Sequence, residues 1–203
     1  TMMPAMLANR AREKRLRIWC AAASTGQEPY SLAMCLKEME PKIAGWRIEI
    51  LGTDLSNEVL TKAKAGIYSQ FEVQRGLPIN HLLKFFTQQG DVWQIGADIR
   101  SMVQYRKMNL LEPFTALGQF DIVFCRNVLI YFDNQTKVDI LSRIQKTMPD
   151  DGFLVLGAAE TVVGLTDVFR AMPDKRGLYA VNRAVAPAQG VTPFPRLAVG
   201  ATR

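Results

Sequence analysis

Phe120-Asp121-Ile122-Val123-Phe124-Cys125-Arg126-Asn127-Val128-Leu129-Ile130-Tyr131-Phe132-Asp133 is the stretch on which the fold reading turns. Apart from Asp121, residues 120–125 are apolar on both faces, the pattern of a strand buried between two layers rather than a half-exposed one. Arg126 and Asn127 then leave that run as two strongly polar side chains. Asp133 or Asn134 caps a helix in which Val138, Leu141, Ile144 and Met148 recur at helical spacing. A buried strand, a polar exit and a capped helix are the parts of an α/β unit, and in such folds ligands bind beyond the carboxyl ends of the strands.

The same alternation extends outward. Leu16–Ala21 reads as a first strand. Glu28-Pro29-Tyr30 opens a helix, with Pro29 suited to its first turn and Leu32, Ala33, Leu36 and Met39 on one face. Trp46–Gly52 reads as a second strand that runs on to Asp54. Ser56 caps the next helix, Glu58 lies in its first turn, and Gly66 stops it. Downstream, Phe153–Gly157 and Leu178–Val181 are further strands. This predicts an α/β fold with a mostly parallel sheet, helices on both faces and right-handed crossovers. No helix separates the last two strands, which predicts an antiparallel edge hairpin.

Residues 67–105 break the rhythm. Asn80–Phe86 looks helical, and Val92–Ile95 and Met102–Tyr105 look like short strands around a Gln88-Gln89-Gly90-Asp91 turn. We read this as a small inserted subdomain with an antiparallel ribbon, after which the alternation resumes with Val103–Met108 leading to Asn109-Leu110-Leu111. Residues 5–15 read as a short basic helix. The domain is expected to span 1–183, and the aperiodic, Pro/Gly/Ala-rich residues 184–203 to be a disordered tail.

A chain of 203 residues, 48% apolar, has enough material for one domain with a real core, and no apolar run reaches the length of a membrane span. The N-terminal residues carry no leader pattern. Three cysteines, Cys20, Cys35 and Cys125, are odd in number and widely spaced, which fits neither a disulfide framework nor a metal site; a cytoplasmic location without a metal follows as the expectation. Cys20 and Cys125 fall in buried strands and read as core residues. The net charge is +6, with Arg10, Arg12, Lys14, Arg15 and Arg17 crowded near the start. Such a cluster reads either as a solvated face or as an attractor of nucleic acid, an anionic membrane or an acidic protein.

Three loops carry the candidate chemistry. After the first strand, Ala22, Ala23 and Ser24 are small enough for a ligand to approach the backbone. The glycine fingerprints of dinucleotide and P-loop sites are missing, which argues against a nicotinamide oxidoreductase. Glu28 at the helix start would repel a phosphate and suits an ammonium group instead; the alternative is that it only complements the helix dipole. S-adenosylmethionine, with no phosphate, a cationic α-amino group and a sulfonium, meets that requirement. Asp54, 26 residues after Glu28, is placed to accept from ribose hydroxyls, or else caps the helix before Ser56. In the third loop Asn127 offers donors and acceptors, Tyr131 a hydroxyl and a ring, and Arg126 an ion pair.

The pieces AAASTGQEPYSLAM, GTDLS, NLLE, FDIVFCRNVLIYFD and GFLVLGAAET, in this order, resemble the catalytic domain of the chemotaxis receptor methyltransferases of the CheR type, over residues 16–182. The resemblance implies a Rossmann-like S-adenosylmethionine-dependent methyltransferase fold with an inserted β-subdomain. It implies cofactor contacts from Glu28, Asp54, Asn109, Leu110, Asn127 and Val128, in addition to the loop residues Ala22, Ala23 and Ser24. Asp54 then takes the ribose, Asn109 and Leu110 border the adenine, and Asn127 and Tyr131 are the candidate catalytic residues near the methionine end. The activity implied is methyl esterification of glutamate side chains on chemoreceptor cytoplasmic domains, with S-adenosylhomocysteine as product. Neither a nucleic-acid partner nor membrane insertion is expected, since the aromatic-basic interleaving of single-strand binders is not evident. The family's N-terminal helical domain and its N-x-T-x-F-F-R linker motif are expected to be absent. The short Gln88–Asp91 loop resembles the branch that works without a receptor's C-terminal pentapeptide. A methyltransferase with another acceptor and a cofactor-binding signalling module without turnover stay open as alternatives.

Overall fold

The structure, a computed structural model, describes residues 2–182. The predicted tail at 184–203 lies outside the described residues. Along the chain the helices are α1 (Met2–Asn9), α2 (Gln27–Glu38), α3 (Asn57–Ala65), α4 (Gln70–Gln74), α5 (Ile79–Phe85), α6 (Ala97–Ser101) and α7 (Asn134–Lys146). The strands are β1 (Arg15–Cys20), β2 (Arg47–Asp54), β3 (Ile67–Ser69), β4 (Phe86–Gln89), β5 (Val92–Ile95), β6 (Val103–Lys107), β7 (Ile122–Cys125), β8 (Phe153–Leu156), β9 (Phe169–Ala171) and β10 (Leu178–Val181).

Seven strands form one sheet in the order β6-β2-β1-β7-β8-β10-β9. The first five run parallel, and β10 is antiparallel to both β8 and β9. This is the expected mostly parallel sheet with an antiparallel edge. Ile18 stands opposite Ile50 on one side and Ile122 on the other, so β1 is central. The period-two alternation of the strands sorts their side chains onto two buried faces. Ile18, Cys20, Ile122 and Phe124 pack toward Tyr30, Ala33, Met34 and Leu36 of α2. Trp19, Val123 and Cys125 pack toward Ile140, Leu141 and Ile144 of α7. Asp133 caps α7 by accepting from the Thr136 amide at 2.8 Å, and Ser56 caps α3 by accepting from the Val59 amide at 3.4 Å. Gly66, at φ 62°, ends α3 in the left-handed region.

A separate three-stranded antiparallel sheet, β3-β5-β4, lies in the predicted insertion. The strand read at Met102–Tyr105 does not belong to it. Val103 begins β6, which pairs in parallel with β2 at the edge of the main sheet. The reason is packing: Val103 is buried in the main core, and the Tyr105 ring lies over Gly52, where a Cβ would meet ring carbons at 2.8 Å. The ribbon about Gln88–Asp91 is instead β4 with β5, closed through Gly90 at φ 61°. Strand β9 escaped the sequence reading, since it is three residues long and only Phe169 in it is buried.

The basic N-terminal segment is also different from expectation. The helix ends at Asn9, and the following residues form turns. Arg10 turns inward to Asp121 (2.7 Å) and Asp151 (2.6 Å). Arg17 pairs with Glu49 at 2.7 Å and lies 4.4 Å from the Phe120 ring centroid, and Arg15 also reaches Glu49. Part of the basic cluster therefore serves internal ion pairs rather than a solvated face.

Cys20 and Cys125 are buried and Cys35 is exposed. Burial pushes the Cys20 and Cys125 thiols well above the ordinary thiol range, so neither forms thiolate near neutrality. Titration with a disulfide reagent at pH 8 is expected to detect one thiol in the native protein and all three after denaturation. Fast reaction of two or more native thiols would contradict this packing.

Candidate functional site

The carboxyl ends of β1, β2, β6 and β7 converge on one rim of the sheet. The loop after β1 is drawn across that rim by backbone bonds: the Ala21 amide donates to the Phe124 carbonyl at 2.7 Å, and the Ala23 amide to the Thr53 carbonyl at 2.9 Å. Trp19 supports them from below, its Nε1 donating to the buried Thr53 hydroxyl at 2.9 Å. Ser24, at φ 49°, and Gly26, at φ 94°, make the turn into α2. A Cβ on Gly26 would lie 2.6 Å from the Tyr105 hydroxyl oxygen, so this position takes glycine on both conformational and steric grounds. The small sheet is tied to the same turn, with the Tyr68 hydroxyl donating to the Thr25 carbonyl at 2.9 Å.

Asp54 ends β2 beside this loop. One carboxylate oxygen accepts from the Ser24 amide at 2.9 Å, the other from the Ser56 amide at 3.0 Å. The capping role belongs to Ser56, so the carboxylate is free of that task. A carboxylate has about four acceptor sites, and two amides leave roughly half of them open. A preset, half-exposed acceptor pair of this kind suits a vicinal diol. The Asp54 carbonyl accepts from the Met108 amide at 2.9 Å, which brings Asn109 and Leu110 alongside. Asn109 is turned back on its own backbone, its side-chain oxygen accepting from the Leu111 amide at 3.0 Å, while Leu110 is buried.

Glu28 and Arg126 meet at 2.7 Å. Burial pushes the Glu28 carboxyl above the ordinary glutamate range, and Arg126 and the Cys20 thiol pull it back. The pair joins the start of α2 to the end of β7 and combines an anionic and a cationic group, the two charges that a zwitterionic amino-acid moiety would meet. Asn127, the next residue, is in the left-handed region at φ 57°.

The structure adds two residues to which the sequence reading gave no role. The Glu160 carboxylate accepts from four backbone amides: Asn127 (2.7 Å), Val128 (2.9 Å), Leu129 (2.7 Å) and Gly157 (2.7 Å). A Cβ on Gly157 would run into the Asn127 side-chain oxygen and lie 2.7 Å from Glu160. Both residues belong to the GFLVLGAAET piece; a carboxylate just beyond a buried strand was the only local signal. Tyr131 lies four residues beyond Asn127 in a single 3-10 turn, Leu129–Tyr131, and is 78% exposed. The structure thus brings Ala22, Ala23, Ser24, Glu28, Asp54, Asn109, Leu110, Asn127 and Val128 to one rim of the sheet, with Tyr131 at its outer margin.

The donor set fits a ligand with a diol at one end and a charged amino-acid group at the other. It offers no glycine-rich amide cradle for a pyrophosphate.

The family model described as "CheR methyltransferase, SAM binding domain" matches residues 1–178. The chain is 44% identical over 169 residues to a chemotaxis protein methyltransferase of Pseudomonas putida, covering 81% of this chain and 62% of that protein. It is 45% identical over 169 residues to chemotaxis protein methyltransferase 1 of Pseudomonas aeruginosa, with the same coverage of 81% and 62%. It is 38% identical over 180 residues to chemotaxis protein methyltransferase 1 of Vibrio cholerae, covering 87% of this chain and 64% of that one. The chain thus spans 62% to 64% of the length of these relatives. Matched over most of its length by this family model and 38% to 45% identical to these relatives, the chain belongs to the CheR methyltransferase family, in its SAM-binding domain.

Proposed function

We propose that this chain is the cofactor-binding and methyl-transferring part of a cytoplasmic enzyme that esterifies glutamate side chains of chemoreceptors. The observation that carries the reading is the Asp54 carboxylate, fixed at the end of β2 by the Ser24 and Ser56 amides with acceptor sites to spare. In this reading residues 1–183 form the catalytic domain with the small sheet as an insertion. When bound, S-adenosylmethionine supplies an electrophilic methyl group. Asp54 holds the ribose hydroxyls, Ala22, Ala23 and Ser24 let the ligand approach the backbone, and Glu28 with Arg126 addresses the amino-acid end. Asn127 and Tyr131 are the neutral polar groups nearest the reacting end. A neutral surround is the physical requirement: charge is neutralised in the transition state, and a fixed anion there would favour the ground state. The acceptor glutamate, with an ordinary pKa of about 4.3, is already ionised at pH 7, so no general base is required of the chain. Its task is to align the acceptor and exclude water.

The partner is a chemoreceptor cytoplasmic domain. Its recognition is independent of a terminal pentapeptide, a reading supported by the tight β4–β5 turn at Gly90-Asp91. Among the described residues no helix is long and apolar enough to cross a membrane.

Calorimetric titration of S-adenosylhomocysteine tests the site. Micromolar binding is expected, weakened tenfold or more by Asp54→Ala, a loss of about 1.4 kcal/mol. Equal binding by both proteins would remove Asp54 from the site, and no binding by the parent chain would sink the cofactor reading for it. Transfer of labelled methyl to receptor membranes, with or without a terminal pentapeptide, supports the acceptor assignment. Labelling of RNA instead would overturn it, and binding without any transfer would favour a non-catalytic module.

A further inference from the structure

We infer that Glu160 is a positioning residue that presets the Asn127–Val128 step of the cofactor site; this rests on the site reading above. Three consecutive amides, Asn127, Val128 and Leu129, point inward where the chain leaves β7. Such a run of N–H groups makes a concavity that binds anions. Here the protein fills it with its own carboxylate. One Glu160 oxygen takes Val128 and Leu129, and the other takes Asn127 and Gly157, so about four acceptor sites meet four donors. With its acceptor capacity used and the residue 9% exposed, Glu160 is neither a cofactor ligand nor a base. What it does is hold the backbone. Asn127 takes a left-handed conformation, uncommon for a residue with a side chain, and Glu160 grips the amides of that residue and the next two. The clamp joins β8 to β7 across 33 residues of sequence and leaves the Asn127 side chain on the exposed rim.

The test compares the parent chain with Glu160→Gln and Glu160→Asp. Glutamine keeps the shape but replaces one acceptor oxygen by an NH2 group that faces two N–H donors. Aspartate keeps the charge but is one methylene short. Amide hydrogen exchange of Asn127, Val128 and Leu129 is expected to accelerate about tenfold or more in Glu160→Gln, while Trp19 and Ile50 in β1 and β2 keep their protection. S-adenosylhomocysteine affinity is expected to fall tenfold or more, with Glu160→Asp between Glu160→Gln and the parent. In an Asn127→Gly background, where the left-handed turn needs no support, Glu160→Gln is expected to cost less than threefold further. Parent-like affinity in Glu160→Gln, a uniform rise in exchange across the sheet, or a full additional loss in the Asn127→Gly background would each overturn the inference. If Glu160→Gln does not fold, Glu160→Asp carries the same comparison. A parent chain that does not bind the probe, or binding indifferent to Asp54→Ala, would mark failure of the site reading rather than of the clamp.

Discussion

Replacing Arg10 with alanine is expected to destabilise the fold by about 3 kcal/mol, near the lower end of what removing one partner from a buried ion pair costs. The Arg10 side chain is 16% exposed and that of Asp121 12%. Arg10 serves two carboxylates at once, with Nε on Asp121 at 2.7 Å and the two terminal nitrogens on Asp151 at 2.8 and 2.6 Å. Its removal leaves Asp121 with the Arg17 amide at 2.8 Å and Asp151 with the exposed Asn9 amide group at 2.8 Å, so two negative charges face each other without their shared cation. Arg10 also ties the exit of α1, whose Met6 is buried in the core, to the amino end of β7. The pH dependence has a definite sign. The Arg10 guanidinium holds the Asp151 carboxyl below the ordinary aspartate value of 3.8. A depressed acid contributes stability that is present above its unfolded pKa and lost as pH falls through the folded one, here below about pH 4. Urea denaturation at pH 7 and pH 3 measures both effects. In Arg10→Ala the midpoint falls with little change in slope, and the acid-induced loss is smaller than in the parent. A cost below about 1 kcal/mol at pH 7, the range of surface pairs, would mean the cluster is solvated.

Gly157→Ala is the second large effect, and it separates steric from conformational causes. Gly157 is not in the left-handed region, so alanine meets no backbone penalty there. The added methyl would instead run into the Asn127 side-chain oxygen, 2.7 Å from a Glu160 oxygen and 3.0 Å from the Asn127 amide nitrogen. Glu160 is held by four amides and has no room to retreat. Relief must come from displacing Asn127 or opening the clamp. Overpacking of this kind costs about 1–3 kcal/mol, and we expect the upper end. S-adenosylhomocysteine affinity is expected to fall at least tenfold, because the displaced group belongs to the proposed site. Thermal unfolding and calorimetry on the same variant test both. A destabilised protein that binds the probe normally would place Asn127 outside the cofactor contacts.

Much of this molecule is legible in local sequence. The strand that ends at Cys125, the helix capped by Asp133 or Asn134, and the helix begun by Ser56 and ended at Gly66 all follow from side-chain period and capping chemistry; the structure starts the strand at Ile122 rather than Phe120 and gives the cap to Asp133. Candidate site residues could be chosen because an α/β fold puts its ligands beyond the carboxyl ends of the strands, and those ends were readable. The Glu28–Arg126 pair was half visible, since both residues were singled out and an ion pair was one reading of Arg126. What was missed has a common cause. Val103–Lys107 has the composition of a strand, but nothing in its own residues says whether its neighbour is β2 or β5; Val103 in the main core and the Tyr105 ring over Gly52 decide it.

Residues near one another in the chain set the longer strands of the main sheet, the capped helices between them, the mostly parallel arrangement and the loops that carry polar side chains, whereas the first helix runs over Met2–Asn9 rather than 5–15 and the short elements β3, α4, α6 and β9 left no readable pattern. The packed fold is what turns Arg10 inward, sets β6 at the edge of the main sheet beside β2, and brings Glu160 to the turn at Asn127. Those outcomes are contacts across 111 residues for Arg10 with Asp121 and 33 for Glu160 with Asn127. A buried charge or amide takes whatever partner the packed fold brings within reach, and chain-local pattern carries no record of it.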